Sequence, residues 1–243
     1  MRAATAADLI AVFESGPKDL PFHIHAAEQL QEVEDCQTFL KRRPVEWLLE
    51  NLPLQERFNL VHCTHLNDSE VKRLAASGAQ VVLCPGTEGN LGDGIFRLKY
   101  YANHYGSWCI GTDSHISLNP FEDLRWLDYA QRLTTHKRNT FDDAATVFLT
   151  KCITGGRKAM GLTEHNFFEE GNPFDAVVFR SNTPLLNMTR KEHILSSILY
   201  TCDAADISGT IIDGRWVVKD GVAQNSAAIR KNFDHTLNEL SRR

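Results

Sequence analysis

The chain has 243 residues, of which 42% are hydrophobic, 23% charged and 9% aromatic, a composition that is ordinary for a globular protein. Its net charge of −5 lacks the basic surplus of a nucleic-acid-binding surface, so we expect no nucleic-acid partner. No apolar run approaches the ~18 residues of a membrane span, and the apolar residues near the N-terminus are interrupted at helical spacing, unlike those of a signal peptide. We therefore expect a cytoplasmic protein with no membrane association.

The cysteines support the same expectation. None of them forms a C-x-x-C pair, and we interpret them as reduced thiols of a cytosolic protein. They are Cys36, Cys63, Cys84, Cys109, Cys152 and Cys202.

Repeated strand–helix units are predicted in the first part of the chain. Apolar segments predict strands at 21–27, 58–63, 80–84 and 108–112. Each gap between them is predicted to hold one helix, which indicates a parallel sheet or a sector of a barrel. The intervening helices are predicted at 3–15, from Pro44 onward, at 68–76 with Gly78 after its end, and at about 95–105, with a glycine-rich loop at 84–94.

The second part of the chain has a different pattern. Helices dominate from 121 to about 160. Strands follow at 174–179 and at 209–221, the latter as a hairpin around Asp213 and Gly214. We expect an α/β protein with a strand-rich C-terminal segment.

Polar residues lie at the ends of the predicted strands. His25 ends the first strand and Glu28 follows it, His62 ends the second strand, and Asp113 follows the fourth. Because the carboxyl ends of parallel strands share one face, these four side chains are expected to converge there, as active-site residues of barrels do.

The residue types suit a catalytic zinc site. Zinc binds neutral imidazole and carboxylate, for which His25 and Asp113 are candidates, and it can lower the pKa of water to about 7. Glu28 is placed to transfer protons, and His62 is placed to donate to a developing oxyanion.

Structural explanations remain open for single residues. A lone histidine at a strand end more often has a structural role, and His23 is the alternative ligand if the strand register differs. We interpret His65 as a loop residue. The 84–94 segment lacks the lysine of a phosphate-binding loop and is interpreted as an active-site loop.

The ordered set of motifs resembles the deaminase branch of the amidohydrolase superfamily, and within it the formimidoylglutamate deiminases. The resemblance runs from about residue 2 to the end of the chain. The motifs are PFHIHAAEQ (21–29), RRPVEWLL (42–49), LVHCTHL (60–66), CPGTEGNLGDG (84–94), GTDSH (111–115) and FEDLRWLDYAQRL (121–133).

The resemblance implies a role for each strand-end residue. His25 and Asp113 match ligands of one zinc ion per active site, and Asp113 also matches the acceptor of a proton from the attacking water. Glu28 matches the acid–base carboxylate. His62 matches the histidine that polarises the reacting carbon–nitrogen group.

The resemblance also implies three substrate-binding residues. Arg2 lies where the family has an arginine that binds a substrate carboxylate. Ser114 and His115 follow the metal-binding aspartate and are expected to shape the pocket.

One departure bears on the fold. The family takes two further metal ligands from an H-x-H after its first barrel strand, whereas this sequence has H-x-H only at 23–25. We therefore expect the C-terminal half of a metal-dependent (β/α)8 amidohydrolase barrel, with strands five to eight in residues 1–165. Residues 166–243 are expected to contribute to a small β-sandwich domain and a terminal helix.

The resemblance implies deimination of N-formimino-L-glutamate to N-formyl-L-glutamate and ammonia by a complete enzyme, which acts on a small molecule as a homodimer. Two alternatives remain: a related zinc aminohydrolase acting on a nucleobase or adenosine derivative, and a non-catalytic chain that pairs with a partner half. Taken alone, the chain is expected to be an inactive fragment that binds zinc weakly and associates through its unpaired strand edges.

Overall fold

The computed structural model describes residues 4–162 and 168–242. Contacts divide the chain into two compact units, Met1–Thr163 and Glu164–Arg243. The boundary predicted from the sequence, between residues 165 and 166, lies outside the described residues, and the assignment of the two parts to a barrel and a β-domain stays a prediction.

Four parallel strands form the sheet of the first unit, and their order across the sheet follows their order in the chain. In the register of the first two strands Ala26 pairs with His62, so both strands end at the same level. Parallel neighbours require crossover connections, which the helices supply. This confirms the predicted parallel α/β arrangement. The strands are β1 (Phe22–Ala26), β2 (Phe58–His62), β3 (Gln80–Leu83) and β4 (Ser107–Ile110).

Several helices of this unit begin and end near their predicted bounds. Asn67 and Glu70 form a capping box at the start of the helix at 68–77, and Gly78 follows its end with a φ of +81°. Pro44 occupies the first turn of another helix. The helices are α1 (Ala6–Ser15), α2 (Leu30–Leu40), α3 (Pro44–Asn51), α4 (Asp68–Ser77), α5 (Pro85–Leu91), α6 (Leu98–Asn103), α7 (Pro120–Thr135) and α8 (Ala144–Ala159).

Two sequence-based expectations were wrong. The gaps before β2 and before β4 each contain two helices rather than one. The segment at 84–94 is not a loop throughout, because α5 occupies most of it. Pro85 is the first residue of α5, and Gly92 ends the helix with a φ of +70°. The backbone amide of Cys84 donates to the Glu88 carboxylate at 2.9 Å, so a side chain stabilises the first turn despite the glycines.

The two central strands form the core of the sheet. Every residue of β2 and β3 is buried, whereas β1 and β4 have partly exposed residues. At the N-terminal end of the sheet, buried Gln80 donates to Asn59 Oδ1 at 3.1 Å and to the carbonyl of Gly155 at 2.9 Å. Ser107 donates to Gln80 Oε1 at 3.1 Å. The polar side chains at this end are therefore hydrogen-bonded to one another.

The second unit contains an antiparallel sheet in the order β5-β6-β7-β8. Asp213 and Gly214 join β6 to β7 with φ values of +49° and +71°, which confirms the predicted hairpin. Within the described residues, no helix of either unit is both long and apolar enough to cross a bilayer. The elements are β5 (Ala176–Phe179), α9 (Pro184–Met188), α10 (Ile194–Thr201), β6 (Ile207–Ile212), β7 (Arg215–Lys219), β8 (Val222–Ala223) and α11 (Ser226–Leu240), with 3-10 turns at Lys191–His193 and Ala204–Asp206.

Candidate active site

The four polar residues predicted from strand ends come together at the C-terminal end of the parallel sheet. Nε2 of His62 lies 3.6 Å from Glu28 Oε1 and 3.9 Å from Asp113 Oδ2. Nε2 of His25 lies 3.8 Å from Asp113 Oδ1. The geometry thus places all four around one point, while their individual roles stay predictions.

The backbone turns sharply where it delivers these side chains. His62 and Cys63 have φ values of +70° and +55°, and Asp113 has a φ of +45°. Residues other than glycine rarely adopt this left-handed region, which costs of order 1–3 kcal/mol per residue and is concentrated at functional sites. The strained turns direct His62 and Asp113 toward each other.

Burial differs across the cluster. The side chain of His62 is fully buried and that of Glu28 is 3% exposed, whereas those of His25 and Asp113 are 53% and 26% exposed. The loop at Glu28 is held by Glu32, whose carboxylate accepts from the amides of Ala27 at 3.1 Å and Glu28 at 3.0 Å. His62 and Glu28 therefore form a closed side of the cluster, and His25 and Asp113 form an open side.

A further residue, Glu88, was missed by the sequence analysis. Its Oε1 lies 3.3 Å from Nδ1 of His62, and the residue is 4% exposed. Glu88 lies just after β3, so the strand-end rule that selected the other residues applied to it as well. The glycines around it led to the segment being interpreted as a loop.

The electrostatic surroundings of His62 favour its protonated form. Burial of the ring acts to lower the pKa of His62, but the hydrogen bond to Glu88 and the negative charges of Glu28 and Asp113 act in the opposite direction. The net result is a pKa above the usual value of histidine.

Three substrate-binding residues were predicted from the resemblance. Arg2 lies outside the described residues. Ser114 is tied to α5, because its amide donates to Thr87 Oγ1 at 3.2 Å and the two hydroxyl oxygens are 2.8 Å apart. His115 is exposed beside it, with a φ of +57°. The structure thus places Ser114 and His115 next to Asp113 and leaves their contact with a substrate as a prediction.

The other histidines of the strand-end motifs lie outside the cluster. Nε2 of His23 lies 2.9 Å from the carbonyl oxygen of Ala159 at the end of α8. Nε2 of His65 lies 2.8 Å from the carbonyl oxygen of Asp93. These contacts favour His25 over His23 as the candidate ligand and agree with the interpretation of His65 as a loop residue.

Residues 2–217 match the model of the amidohydrolase family. The chain belongs to this family. The resemblance inferred from its motifs is confirmed.

Relatives of similar sequence carry deaminase and deiminase names. The formimidoylglutamate deiminase of Pseudomonas aeruginosa is 39% identical over 99% of this chain and 54% of its own length. The 5-methylthioadenosine/S-adenosylhomocysteine deaminase of Halobacterium salinarum is 29% identical over 93% of this chain and 52% of its own length. The chain therefore spans about half the length of the relatives it matches.

Solved structures agree on the fold. An amidohydrolase from Brucella melitensis aligns with a TM-score of 0.90 and 33% identity, covering 98% of this chain and 53% of that one. An adenosine deaminase from Xanthomonas campestris with bound zinc aligns with a TM-score of 0.83 at 22% identity, covering 98% of this chain and 54% of that one. The chain thus has the amidohydrolase fold.

The cluster fits a divalent metal. One ligand atom each from His25, His62 and Asp113 lies within 4.8 Å of the other two. Tetrahedral zinc ligands are about 3.3 Å apart, so the observed 3.8 and 3.9 Å need only a small contraction. Nε2 of His62 is buried and has no hydrogen-bond partner among the described residues, a state that is costly unless a ligand or substrate engages it.

Proposed function

We propose that this chain supplies the catalytic residues of a metal-dependent hydrolase that converts N-formimino-L-glutamate and water to N-formyl-L-glutamate and ammonia. The observation that carries the proposal is the convergence of His25, Glu28, His62 and Asp113 on one point. The choice of substrate is supported by the 39% identity to a formimidoylglutamate deiminase across 99% of the chain.

A single divalent ion, proposed to be zinc, would be bound by His25 and Asp113, with Nε2 of His62 adjacent to it. Zinc is supported by the metal bound in the Xanthomonas campestris relative, and by the preference of zinc for imidazole and carboxylate ligands. When bound, such an ion supplies Lewis-acid chemistry and lowers the pKa of water to near neutrality.

Each residue of the cluster then has a role that matches its position. Asp113 accepts one proton from the water that adds to the formimino carbon. Glu28 donates one proton to the imino nitrogen. As the tetrahedral adduct collapses, the remaining hydroxyl proton passes to Glu28 and the proton held by Asp113 passes to the nitrogen, so that the carbon–nitrogen bond breaks and ammonia leaves. His62, facing both carboxylates, stabilises the negative charge that develops at the reacting centre.

We further propose that the chain corresponds to the C-terminal half of a (β/α)8 barrel, from strand five to strand eight, with part of a small β-domain. The proposal is supported by the Brucella melitensis structure, of which the chain covers only 53%. The exposed side chains of His25 and Asp113 also indicate that other residues complete the site. Two further metal ligands and most groups that bind the substrate carboxylates would come from the other half, with Arg2 as this chain's predicted contribution.

A related aminohydrolase activity on an adenosine derivative is the second candidate. It is favoured by the 29% identity to a 5-methylthioadenosine/S-adenosylhomocysteine deaminase over 93% of the chain. The strand-end residues serve either substrate equally, because both reactions add water to a carbon–nitrogen double bond and release ammonia.

The test is a chimera in which this chain is joined to the part of the Pseudomonas aeruginosa relative that it does not match. Ammonia release is measured with N-formimino-L-glutamate, adenosine and 5′-methylthioadenosine. Turnover of the formimino substrate alone is expected. Turnover of a nucleoside alone would establish the second candidate, and no turnover of any substrate in a folded, zinc-loaded chimera would contradict both.

A further inference from the structure

We propose that Glu88 is a positioning residue that fixes the orientation and the tautomer of the His62 ring; the proposal deepens the function proposed above and rests on it. Glu88 is not among the four residues given a role in the proposed reaction. It lies on the opposite side of the imidazole from the reacting centre, so it acts only through His62.

The contact between the two side chains is sealed from solvent. Oε1 of Glu88 lies 3.3 Å from Nδ1 of His62, and the two residues are 4% and 0% exposed. Water is therefore not available as an alternative partner for Nδ1. Rotation of the ring would separate Nδ1 from the carboxylate at the cost of a buried, unpaired polar group.

Glu88 is itself anchored to the backbone. The same Oε1 accepts from the amide of Cys84 at 2.9 Å, directly after β3. The amide of Gly86, the second residue of α5, donates to Asp123 Oδ1 of α7 at 3.0 Å. The imidazole of His62, at the end of β2, is thus held in position through contacts with the end of β3 and with α7.

The chemistry of the carboxylate decides the tautomer. An ionised carboxylate accepts hydrogen bonds and donates none, so Nδ1 of His62 must carry the hydrogen. In the neutral ring Nε2 then presents its lone pair toward the cluster, 3.6 Å from Glu28 Oε1 and 3.9 Å from Asp113 Oδ2. Protonation of this ring at Nε2 then gives the donor that faces the reacting centre, with hydrogen on Nδ1 still held by Glu88. Without Glu88, both neutral tautomers become accessible and the ring is no longer held in this orientation.

Two variants of different chemistry test the proposal in the 243-residue chain. Glu88→Gln keeps the carbonyl oxygen that can accept from Nδ1 and from Cys84, whereas Glu88→Met keeps the volume and removes the acceptor. The tautomer of His62 is measured by nitrogen-15 NMR of histidine-labelled protein at about pH 9, where a neutral ring is favoured. The His62 signals are assigned by their loss in His62→Gln, and zinc affinity is measured by titration with the metal alone.

We expect the wild type and Glu88→Gln to show the Nδ1–H tautomer. Glu88→Met is expected to show a mixture of tautomers, with zinc affinity little changed because the proposed ligands His25 and Asp113 are retained. Glu70→Met is the matched control, because Glu70 is 1% exposed and its carboxylate accepts from the amides of Asn67 and Glu46 without contacting His62. It is expected to lower stability and leave the His62 tautomer unchanged.

The inference is overturned if Glu88→Met retains the Nδ1–H tautomer, or if the wild type itself has hydrogen on Nε2. A tautomer that shifts equally in Glu70→Met would also overturn it, because the effect would then be general loosening. Failure of the proposed function is separable from these results, since a chimera that releases no ammonia can still show Glu88-dependent tautomer selection in this chain.

Discussion

The two ends of the parallel sheet both contain buried polar side chains, but these differ in whether their hydrogen-bonding atoms have partners. At the N-terminal end, Gln80 is hydrogen-bonded to Asn59, Ser107 and the carbonyl of Gly155. At the C-terminal end, Nε2 of His62 is buried without a hydrogen-bond partner among the described residues. The contrast indicates that polar residues serve stability at the first end and chemistry at the second, as the two faces of a barrel do.

The largest expected effect tests the packed end. Adding a Cβ at Gly155 of α8 would bring it to 2.6 Å from the carbonyl oxygen of Trp108 and 2.9 Å from Cβ of Cys109. Gly155→Ala should therefore lower the free energy of unfolding by about 3 kcal/mol, measured by urea denaturation.

The neighbouring glycine is a control for this substitution. A Cβ at Gly156 would have no atom within 4 Å. Gly156→Ala should raise the free energy of unfolding by about 0.5–1 kcal/mol, because alanine is the better helix former. Equal effects at the two positions would contradict the close packing of α8 against β4.

The hydrogen-bonded cluster at the same end gives the second prediction. Gln80→Met keeps the volume but leaves the buried acceptors of Asn59 and Gly155 without their donor. We expect a loss of about 2 kcal/mol in the free energy of unfolding, with zinc affinity unchanged. A substantial loss of zinc affinity at unchanged stability would assign this end to the site and remove the contrast.

The third prediction concerns a carboxyl group at the C-terminal end. Burial raises the pKa of Asp123 to about 6, and although the hydrogen bond from Gly86 opposes this, nearby Glu122 and Glu88 add to it. The folded state therefore binds the proton more tightly than the unfolded state does. The resulting stability is complete below about pH 4 and is lost as the pH rises through about 6.

Replacing Asp123 by asparagine removes this titration. Asp123→Asn should be roughly 1–2 kcal/mol more stable than the wild type at pH 8, with the difference disappearing toward pH 4. The gain is smaller than the shift alone implies, because the new amide hydrogens are also buried. Urea denaturation at several pH values measures it, and a difference that does not vary with pH would contradict the assignment.

The smallest stability change is expected on the open side of the cluster. The side chain of Asp113 is 26% exposed, so Asp113→Asn should alter the free energy of unfolding by less than about 0.5 kcal/mol. Its zinc affinity should nevertheless fall at least about 10-fold, because an amide oxygen is a poorer ligand than a carboxylate. Unchanged zinc titration would contradict the proposed ligand.

The parts of the fold and of the candidate site that can be predicted from the sequence are those that depend on local patterns or on strand direction. The convergence of His25, Glu28, His62 and Asp113 is predictable because the direction of parallel strands fixes where their ends meet. The hairpin at Asp213 was found because its turn chemistry is local.

The missing parts depended on contacts between distant segments. The helix α5 is stabilised at Gly86 by Asp123, which is 37 residues away, and no local pattern reveals that partner. The contact of Glu88 with His62 depends on how two strands and two side chains are placed relative to each other. Arg2 stays a prediction because it lies outside the described residues.

The most direct test of the central claim is Glu28→Gln in the chimera, with zinc content and ammonia release from N-formimino-L-glutamate measured on the same preparation. The amide preserves the shape of the buried side chain but cannot transfer a proton. We predict full zinc content with turnover reduced by at least about 10²-fold. Near-normal turnover at full zinc content would show that Glu28 is not the acid–base residue and would contradict the proposed site.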